Sequence, residues 1–531
     1  MLLPLLLSGS TWICSAAVPA VAWDVAAQAQ QGSTQAEASD QEPSGNVMPM
    51  RLEDLVLLVS QNAPAIRQAR LSALSAEGGV LESGGVFDPV FFADLTYSYI
   101  EQPTSGFFST FFPETETTTW TANQGIRGML LSGATYSVSV REQTSDANYL
   151  TEDQADAIFT ANFTQPLLRG GWELVNDFNR RTAEINRDKG YEAVRQTSVD
   201  TVQAAIDAYW DLAFAMEDVK VKEFGLKLAE EQRDVTEARF RVGSVAEVEV
   251  VQTLAQIASR TDELLTARNT VKQRQDQLRL MVFGLDKEDE WMVDFQPIST
   301  IPDAVPTDME WQDALQVALA TRSDLIQLAL DVRQADMAWQ VASKNTDPKL
   351  DLVLNGNSYG QDTRISDAFS PVGQFEYPGY SVGLVFELPF GNRTYAGAEQ
   401  RLRAAYLLAQ QTLKDTEKTV ASEVRDAVRS VNYLAKRVEA TSKSSFVAER
   451  QLDAEQRRLR EGVSTNFQVL SFQNDLLTAK TAELGARIAY AKAISRLQTV
   501  QGLQWDGNSA QAPEYSDLTA EAERVEDQIE E

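Results

Sequence analysis

Two stretches of this chain, from about Trp172 to Arg241 and from about Thr394 to Arg460, contain no proline and only isolated glycines. At ~1.5 Å per residue, each can run as one helix for on the order of 100 Å. No compact globular domain needs elements of that length. Within the first, Val199, Val202, Ile206, Tyr209, Ala213 and Met216 step by three and four. Val424, Val428, Val431, Ala435 and Val438 do the same in the second. This is the spacing of a coiled-coil seam, and taken alone it favours a plain coiled coil.

The long segments belong to a repeat. Leu52-Glu53-Asp54-Leu55-Val56, leading to Pro64-Ala65-Ile66, is echoed by Trp311-Gln312-Asp313-Ala314-Leu315, leading to Ser323-Asp324-Leu325. Phe163-Thr164-Gln165-Pro166-Leu167 before Gly170-Gly171 is echoed by Phe386-Glu387-Leu388-Pro389-Phe390 before Gly391. Arg239-Phe240-Arg241-Val242-Gly243 is echoed by Arg458-Leu459-Arg460-Glu461-Gly462. Each half therefore reads as short helices, strands, a very long helix, a tight turn and a second helix.

The expected strands alternate with period two. Phe91, Ala93, Leu95, Tyr97 and Tyr99 share one face, with Asp94, Thr96 and Ser98 on the other. Phe159, Ala161 and Phe163 oppose Thr160, Asn162 and Thr164; Leu350, Leu352 and Leu354 form a third set; Val382, Leu384, Phe386 and Leu388 form a fourth. Such alternation fits a half-buried strand, a soluble sandwich, or a barrel wall between lipid and water. A further pair, around Trp120–Arg127 and Thr135–Arg141, predicts an extra hairpin in the first half, in the wall or outside it.

Composition removes most chemistry. The chain has 531 residues, 43% of them hydrophobic, with 77 acidic against 47 basic residues and a formal net charge of -30. That charge repels nucleic acid. There is no histidine and one cysteine, Cys14, so neither a Ser-His or Cys-His nucleophile pair nor a His/Cys zinc site can be assembled. No phosphate-binding glycine loop is present. We expect no catalytic residue, metal or cofactor.

Met1 to Ala29 reads as an export signal: Leu2-Leu3-Pro4-Leu5-Leu6-Leu7 is apolar, and Ala27-Gln28-Ala29 offers small residues for cleavage. No basic residue precedes the apolar run, as though the true start lay elsewhere. Thr11-Trp12-Ile13 is too bulky for lipidation at Cys14, so cleavage would leave a mature chain without cysteine. The expected organisation is a signal peptide 1–29, a flexible linker 30–50, a first repeat 51–300, a second repeat 301–505 and an acidic disordered tail 506–531. After the leader no stretch approaches the ~20 apolar residues of a spanning helix.

Thr164-Gln165-Pro166-Leu167-Leu168-Arg169-Gly170, the second strand-Pro-Gly corner and the paired glycine turns resemble the TolC family of outer-membrane efflux proteins, from about Arg51 to Trp505. The resemblance implies an α+β fold: a membrane β-barrel continuous with a long periplasmic α-helical barrel of coiled-coil type. It implies about four strands per subunit and twelve in a trimer, with segments near Leu52–Leu81, Asp286–Pro306 and Trp311–Asn345 as a belt. Pro166, Gly170, Gly171, Pro389 and Gly391 would form the barrel-to-helix corners.

The function implied is a passive outer-membrane exit duct of a tripartite efflux or type I secretion system. Its implied partners are a homotrimer, a periplasmic adaptor (membrane fusion) protein, an inner-membrane pump and outer-membrane lipid, with no nucleic acid. Val242, Gly243, Ser244, Val245, Glu461, Gly462, Val463 and Ser464 match the family's adaptor-contact tips. The acidic entrance residues common in the family fall on Gln468 and Ser471 here, and on Glu249 in the first half. The gate candidates are therefore Glu249, Leu459, Phe467, Gln468 and Ser471. The rival from another class is an exported coiled-coil scaffold or adhesin stalk, which explains the heptads but not the duplicated corners. A secreted carboxylate hydrolase using Asp351 and Glu387 is weaker, because acids alternating along strands fit a water-filled lumen better.

Overall fold

All the alternating segments, the extra hairpin included, pair into one antiparallel sheet. The computed structural model describes residues 46–503, apart from 106–110, 112, 149, 151, 284–287 and 306–309. The expected signal peptide, most of the linker and the acidic tail lie outside the described residues. In chain order the elements begin with β1 (Asn46–Met50), α1 (Leu52–Asn62), α2 (Pro64–Gly84) and β2 (Val90–Pro103). There follow β3 (Glu114–Met129), β4 (Thr135–Ala147), β5 (Gln154–Pro166), α3 (Glu173–Asn176), α4 (Phe178–Arg241) and α5 (Glu247–Phe283). The second half opens with α6 (Glu288–Trp291), β6 (Val293–Pro297), α7 (Trp311–Thr321), α8 (Ser323–Lys344) and β7 (Lys349–Asp362). It closes with α9 (Ile365–Gln374), β8 (Pro378–Glu387), α10 (Arg393–Arg460) and α11 (Asn466–Val500).

The sheet runs β2-β3-β4-β5-β7-β8, every neighbour antiparallel. The four strands expected from the repeat are β2, β5, β7 and β8; the extra hairpin, β3–β4, lies between the first two. The pairing registers place Phe91, Leu95 and Tyr97 on the same face as Trp120, Ile126, Val138, Phe159, Leu354, Val382, Leu384 and Phe386. The opposite face carries Asp94, Thr121, Asn123, Arg141, Asn162, Asn355 and Ser381. Much of the first face is bare, with Leu95 69% exposed, Val382 70% and Leu384 68%, while α9 covers Ala157 and Phe159 at the end away from the long helices. Large apolar side chains in water on this scale mark a surface built for another medium.

α4 and α10 have 64 and 68 residues, roughly 95–100 Å at 1.5 Å per residue. α5 and α11 return alongside their half nearest the turns. α2 and α8 pack along the half nearest the sheet. There Trp339 stacks on Tyr406, Lys189 pairs with Asp331, and Tyr191 donates to Glu77 at 3.3 Å. Each level of the rod therefore contains four helices, and α2 and α8 extend the rod instead of circling it. The belt is narrower than expected, comprising α1, α7 and the small parallel pair β1–β6.

Two apolar clusters hold this belt to the rod. One joins Leu55, Val59, Ile206, Tyr209, Leu212, Leu278 and Phe295; the other joins Ala318, Val420, Val424, Val431, Tyr490 and Leu497. Both contain a tyrosine whose hydroxyl stitches a belt segment down. Tyr209 donates to the Met50 carbonyl and accepts from the Ser299 amide, each at 3.0 Å. Tyr490 donates to the Val305 carbonyl at 3.0 Å. The end of the expected linker is thus ordered: Asn46–Met50 is strand β1, with Met50 1% exposed.

Sheet and rod meet at the two corners. Pro166 ends β5, where its missing N–H costs the ladder nothing further. Gly170 has φ +87°, and a Cβ on Gly171 would sit 2.5 Å from the Pro166 carbonyl oxygen. In the second corner Gly391 has φ +92° with open space around it, so backbone conformation alone requires glycine there. Asp177, fully buried, precedes α4 and accepts from Arg180 at 2.6 and 2.7 Å and from Arg181 at 2.7 Å. Burial pushes the Asp177 carboxyl upward, but the Arg180 and Arg181 hydrogen bonds outweigh it and hold the group below its ordinary value.

A depressed carboxyl stabilises the fold above its unfolded pKa, and that contribution is lost as pH falls through the folded value. Asp177→Asn should therefore cost about 1–2 kcal/mol at neutral pH, discounted because solvent reaches both guanidinium groups. The difference from the parent should shrink below about pH 4. Thermal unfolding of detergent-purified protein, followed by circular dichroism at both pH values, measures it.

Candidate functional site

The candidate site has two parts, the sheet wall and the far tip of the helical rod. On the wall, aromatics mark both ends of the apolar face. Tyr97, Tyr99 and Trp120 are exposed at the end away from the helices, and Phe91, Phe386, Phe390 and Trp172 at the end near them. Between them the face carries Leu95, Val138, Val382 and Leu384, with Phe159 and Phe163 on β5. Exposed aromatics at both ends of an apolar band are what a lipid-facing barrel wall shows. The polar face carries Asp94, Asp156, Asp351 and Glu387 against Arg127 and Arg141. Several of these charges are paired: Asp94 accepts from Asn123 at 3.1 Å, and Glu387 lies 3.5 Å from Arg169.

The tip consists of two turns with the same backbone. After α4, the Gly243 amide donates to the Phe240 carbonyl and the Ser244 amide to Arg239, both at 2.9 Å. After α10, Gly462 donates to Leu459 at 3.1 Å and Val463 to Arg458 at 3.0 Å. Both are Schellman caps, which need a left-handed residue, and Gly243 and Gly462 supply it with φ +72° and +79°. Val242 and Val463 are exposed at these turns, and Ser244 and Glu461 face solvent beside them. Val245 and Ser464 are half-buried.

The gate candidates do not form one cluster within the chain. Leu459 is 3% exposed and packs with Leu228, Leu452, Val469 and Leu476 inside the subunit. Phe467 is 73% exposed, and Ser471 also faces solvent. Gln468 caps its own helix: its amide donates to Thr465 Oγ1, and its Oε1 accepts from the Thr465 amide at 3.3 Å. Glu249 is brought to the second repeat, accepting from Asn466 Nδ2 at 2.6 Å.

That last contact belongs to a network the repeat pattern did not reveal. Gln232 and Asn466 are both buried, and Gln232 donates to Asn466 Oδ1 at 2.8 Å. Asn466 then reaches Glu249, so one side chain ties α4, α5 and α11 together. Arg239 donates to the Leu459 carbonyl, and Arg260 to Asn474, across the same seam. The available signal was polarity at an apolar position: Gln232 continues the helical row of Gly225, Leu228 and Ala229.

The sequence profile of the outer membrane efflux proteins matches residues 131–282 and 314–503. This chain belongs to that family. Membership places it in the outer membrane, with the helical rod as its periplasmic portion. Solved structures share the fold at low identity. The Campylobacter jejuni CmeC outer membrane channel is 15% identical, covers 88% of each chain and superposes with a TM-score of 0.64. The outer membrane protein VceC from Vibrio cholerae is 18% identical over 85% of this chain and 96% of its own, with a TM-score of 0.62. The Neisseria gonorrhoeae MtrE outer membrane channel, in its open state, is 14% identical over 85% and 89%, with a TM-score of 0.59. No protein with a curated description matches the chain. The two profile segments reproduce the duplication, one falling in each half.

For this efflux-family member, Asn466→Leu should leave Gln232 and Glu249 without their partner. The expected loss is about 1–3 kcal/mol for buried polar groups so stranded. Hydrogen exchange should accelerate around 228–250 and 455–475, while amides near the sheet stay protected.

Proposed function

We propose that this chain is one subunit of a trimeric, passive exit duct in a tripartite efflux or type I secretion system. The observation that carries the reading is the continuity of the two parts. A sheet with a largely bare apolar face and a polar face runs through glycine corners into helices of about 100 Å. A single chain leaves one edge of β2 and one of β8 without a strand partner among the described residues. In hydrocarbon such edges are satisfied only by closure, so neighbouring copies complete the wall.

The exposed apolar residues at the tip, among them Val242, Val463 and Phe467, support docking of a periplasmic adaptor at the turns Val242–Val245 and Glu461–Ser464. The adaptor would join the duct to an inner-membrane pump that supplies the energy. We assign the entrance to the second tip, where three copies of Phe467, Gln468 and Ser471 meet near the axis. Leu459 supports that surface from inside the subunit, and Glu249 holds it through Asn466. With acids outnumbering bases on the polar face, the duct should pass cations more readily.

Conductance across planar bilayers, with the oligomer mass checked alongside, tests this. A trimer with small, cation-biased conductance is expected, and Gln468→Ala should raise that conductance. A monomeric rod, soluble without detergent and electrically silent, would replace the duct with the scaffold reading.

A further inference from the structure

We propose that the β3–β4 hairpin is a full member of the membrane wall, and that β8 of each copy pairs with β2 of the next. Six strands from each of three copies then close a barrel of eighteen. The inference rests on the trimeric reading above and changes what the trimer builds: only four strands per copy lead into helices, and the other two only line the wall.

Three observations carry it. The first is register. β2 is paired along its length with β3, from Val90↔Arg127 to Pro103↔Glu114, and β5 with β4, from Thr135↔Thr164 to Ser145↔Gln154. β2 therefore never touches β5, the strand it would meet if the hairpin lay outside the wall.

The second is the hairpin's two faces. Trp120, Ala122 and Ile126 on β3, with Tyr136, Val138 and Val140 on β4, fall on the lipid side, where Gln124 and Glu142 hydrogen-bond to each other at 3.4 Å. Thr119, Thr121, Asn123, Ser137, Ser139 and Arg141 fall on the water side. An external loop has no reason to keep that alternation in phase with the strands on either side.

The third is where the hairpin turns. Its Leu130–Ala134 connection lies at the helix end of the sheet, so the hairpin crosses the membrane and returns. The turn is fastened there. Gln165 donates to the Ser132 carbonyl at 2.9 Å, and Asn176 donates to the carbonyls of Gly170 at 2.8 Å and Leu131 at 3.2 Å. Ala134 is fully buried. Gly133 has φ +78°, and a Cβ there would lie 2.2 Å from the Gly170 carbonyl oxygen. The extra turn is thus built into the first corner.

The edges fit a second copy of this chain. With an even number of strands, β8 runs opposite to β2, so the seam continues the antiparallel order around a closed ring. Val382, Leu384 and Phe386 on β8 lie on the same side as Phe91, Leu95 and Tyr97 on β2, so both faces also continue across it. Barrel diameter grows roughly linearly with strand number. At ~4.8 Å strand spacing and ~40° tilt, eighteen strands give roughly 35 Å between backbones, against roughly 24 Å for twelve. The outer mouth is therefore about half as wide again as the four helix-linked strands alone would make it, and the helical tip remains the narrow point.

Cysteine pairs on the water-facing side test the wall strand by strand. Oxidation should cross-link Thr96→Cys with Thr121→Cys, and Ser139→Cys with Thr160→Cys, within one chain. Ser381→Cys combined in turn with Asp94→Cys, Thr96→Cys or Ser98→Cys should give covalent trimers in at least one pairing. Axial views of the unmodified protein by electron microscopy should show a barrel near 35 Å by the same estimate, whatever the variants do. If Thr96→Cys instead cross-links with Thr160→Cys, and the barrel measures near 24 Å, the wall has twelve strands. The inference then fails while trimer mass and conductance leave the duct intact. A silent monomer would overturn both.

Discussion

Within a bilayer an amide or carbonyl at a strand edge has no water to turn to, and each one left unpaired costs several kcal/mol. The six-stranded sheet has two such edges. On the proposed reading, copies of the chain meet there. The rod keeps four helices at every level, so neighbouring rods can pack side by side while their sheets join. The corners convert strand to helix without a spanning loop, and the belt clusters hold the short helices to the long ones. A lone chain exposes Leu95, Val382 and Leu384 on its sheet and Tyr433, Phe446 and Val447 on α10, which reads as one surface for lipid and another for a neighbour.

Duplication supplies the arrangement at little cost in sequence. Two copies of the same order give two corners at the sheet and two Schellman tips at the far end, with α4 and α10 running in the same direction. The copies have diverged where their surroundings differ. Gly171 is locked against Pro166, whereas Gly391 stands in open space; only the first corner has a hairpin turn pressed on it. At the tips, Thr465 and Gln468 form a capping box at the start of α11, while Glu249, in the equivalent turn, is taken by Asn466.

Local rules made much of this legible. Period-two alternation found all four repeat strands and the extra pair, because each strand has one apolar and one polar face. Proline-free length and heptad steps found α4 and α10, and Gly243 and Gly462 marked both turns through the one backbone conformation they permit. What stayed hidden depends on distant partners. Asn46–Met50 looks like the rest of a polar linker, and becomes a strand only because Val293–Pro297 lies beside it. α9 is an amphipathic helix that folds back over Ala157 and Phe159, burying Ala368 and Val372; no local pattern says which strand it covers. The Gln232–Asn466–Glu249 chain spans more than two hundred residues, and nothing in a single helix row announces its partners.

The β3–β4 hairpin, lying between two strands of the repeat pattern, follows from how a closed wall can grow. Adding one strand would leave β8 parallel to the next copy's β2 and break the antiparallel order. Adding two keeps it. The new strands have no helices beneath them, so their turn must end at the rim and be sealed there against water. Gly133 against the Gly170 carbonyl, Ser132 against Gln165 and Leu131 against Asn176 provide that seal. Leu130 and Leu131, both partly exposed beside it, give the rim an apolar edge at the level where Phe390 and Trp172 mark the near end of the apolar face. A wall can thus widen without any change in the number of helices below it, and the width of the outer mouth is decoupled from the width of the tip.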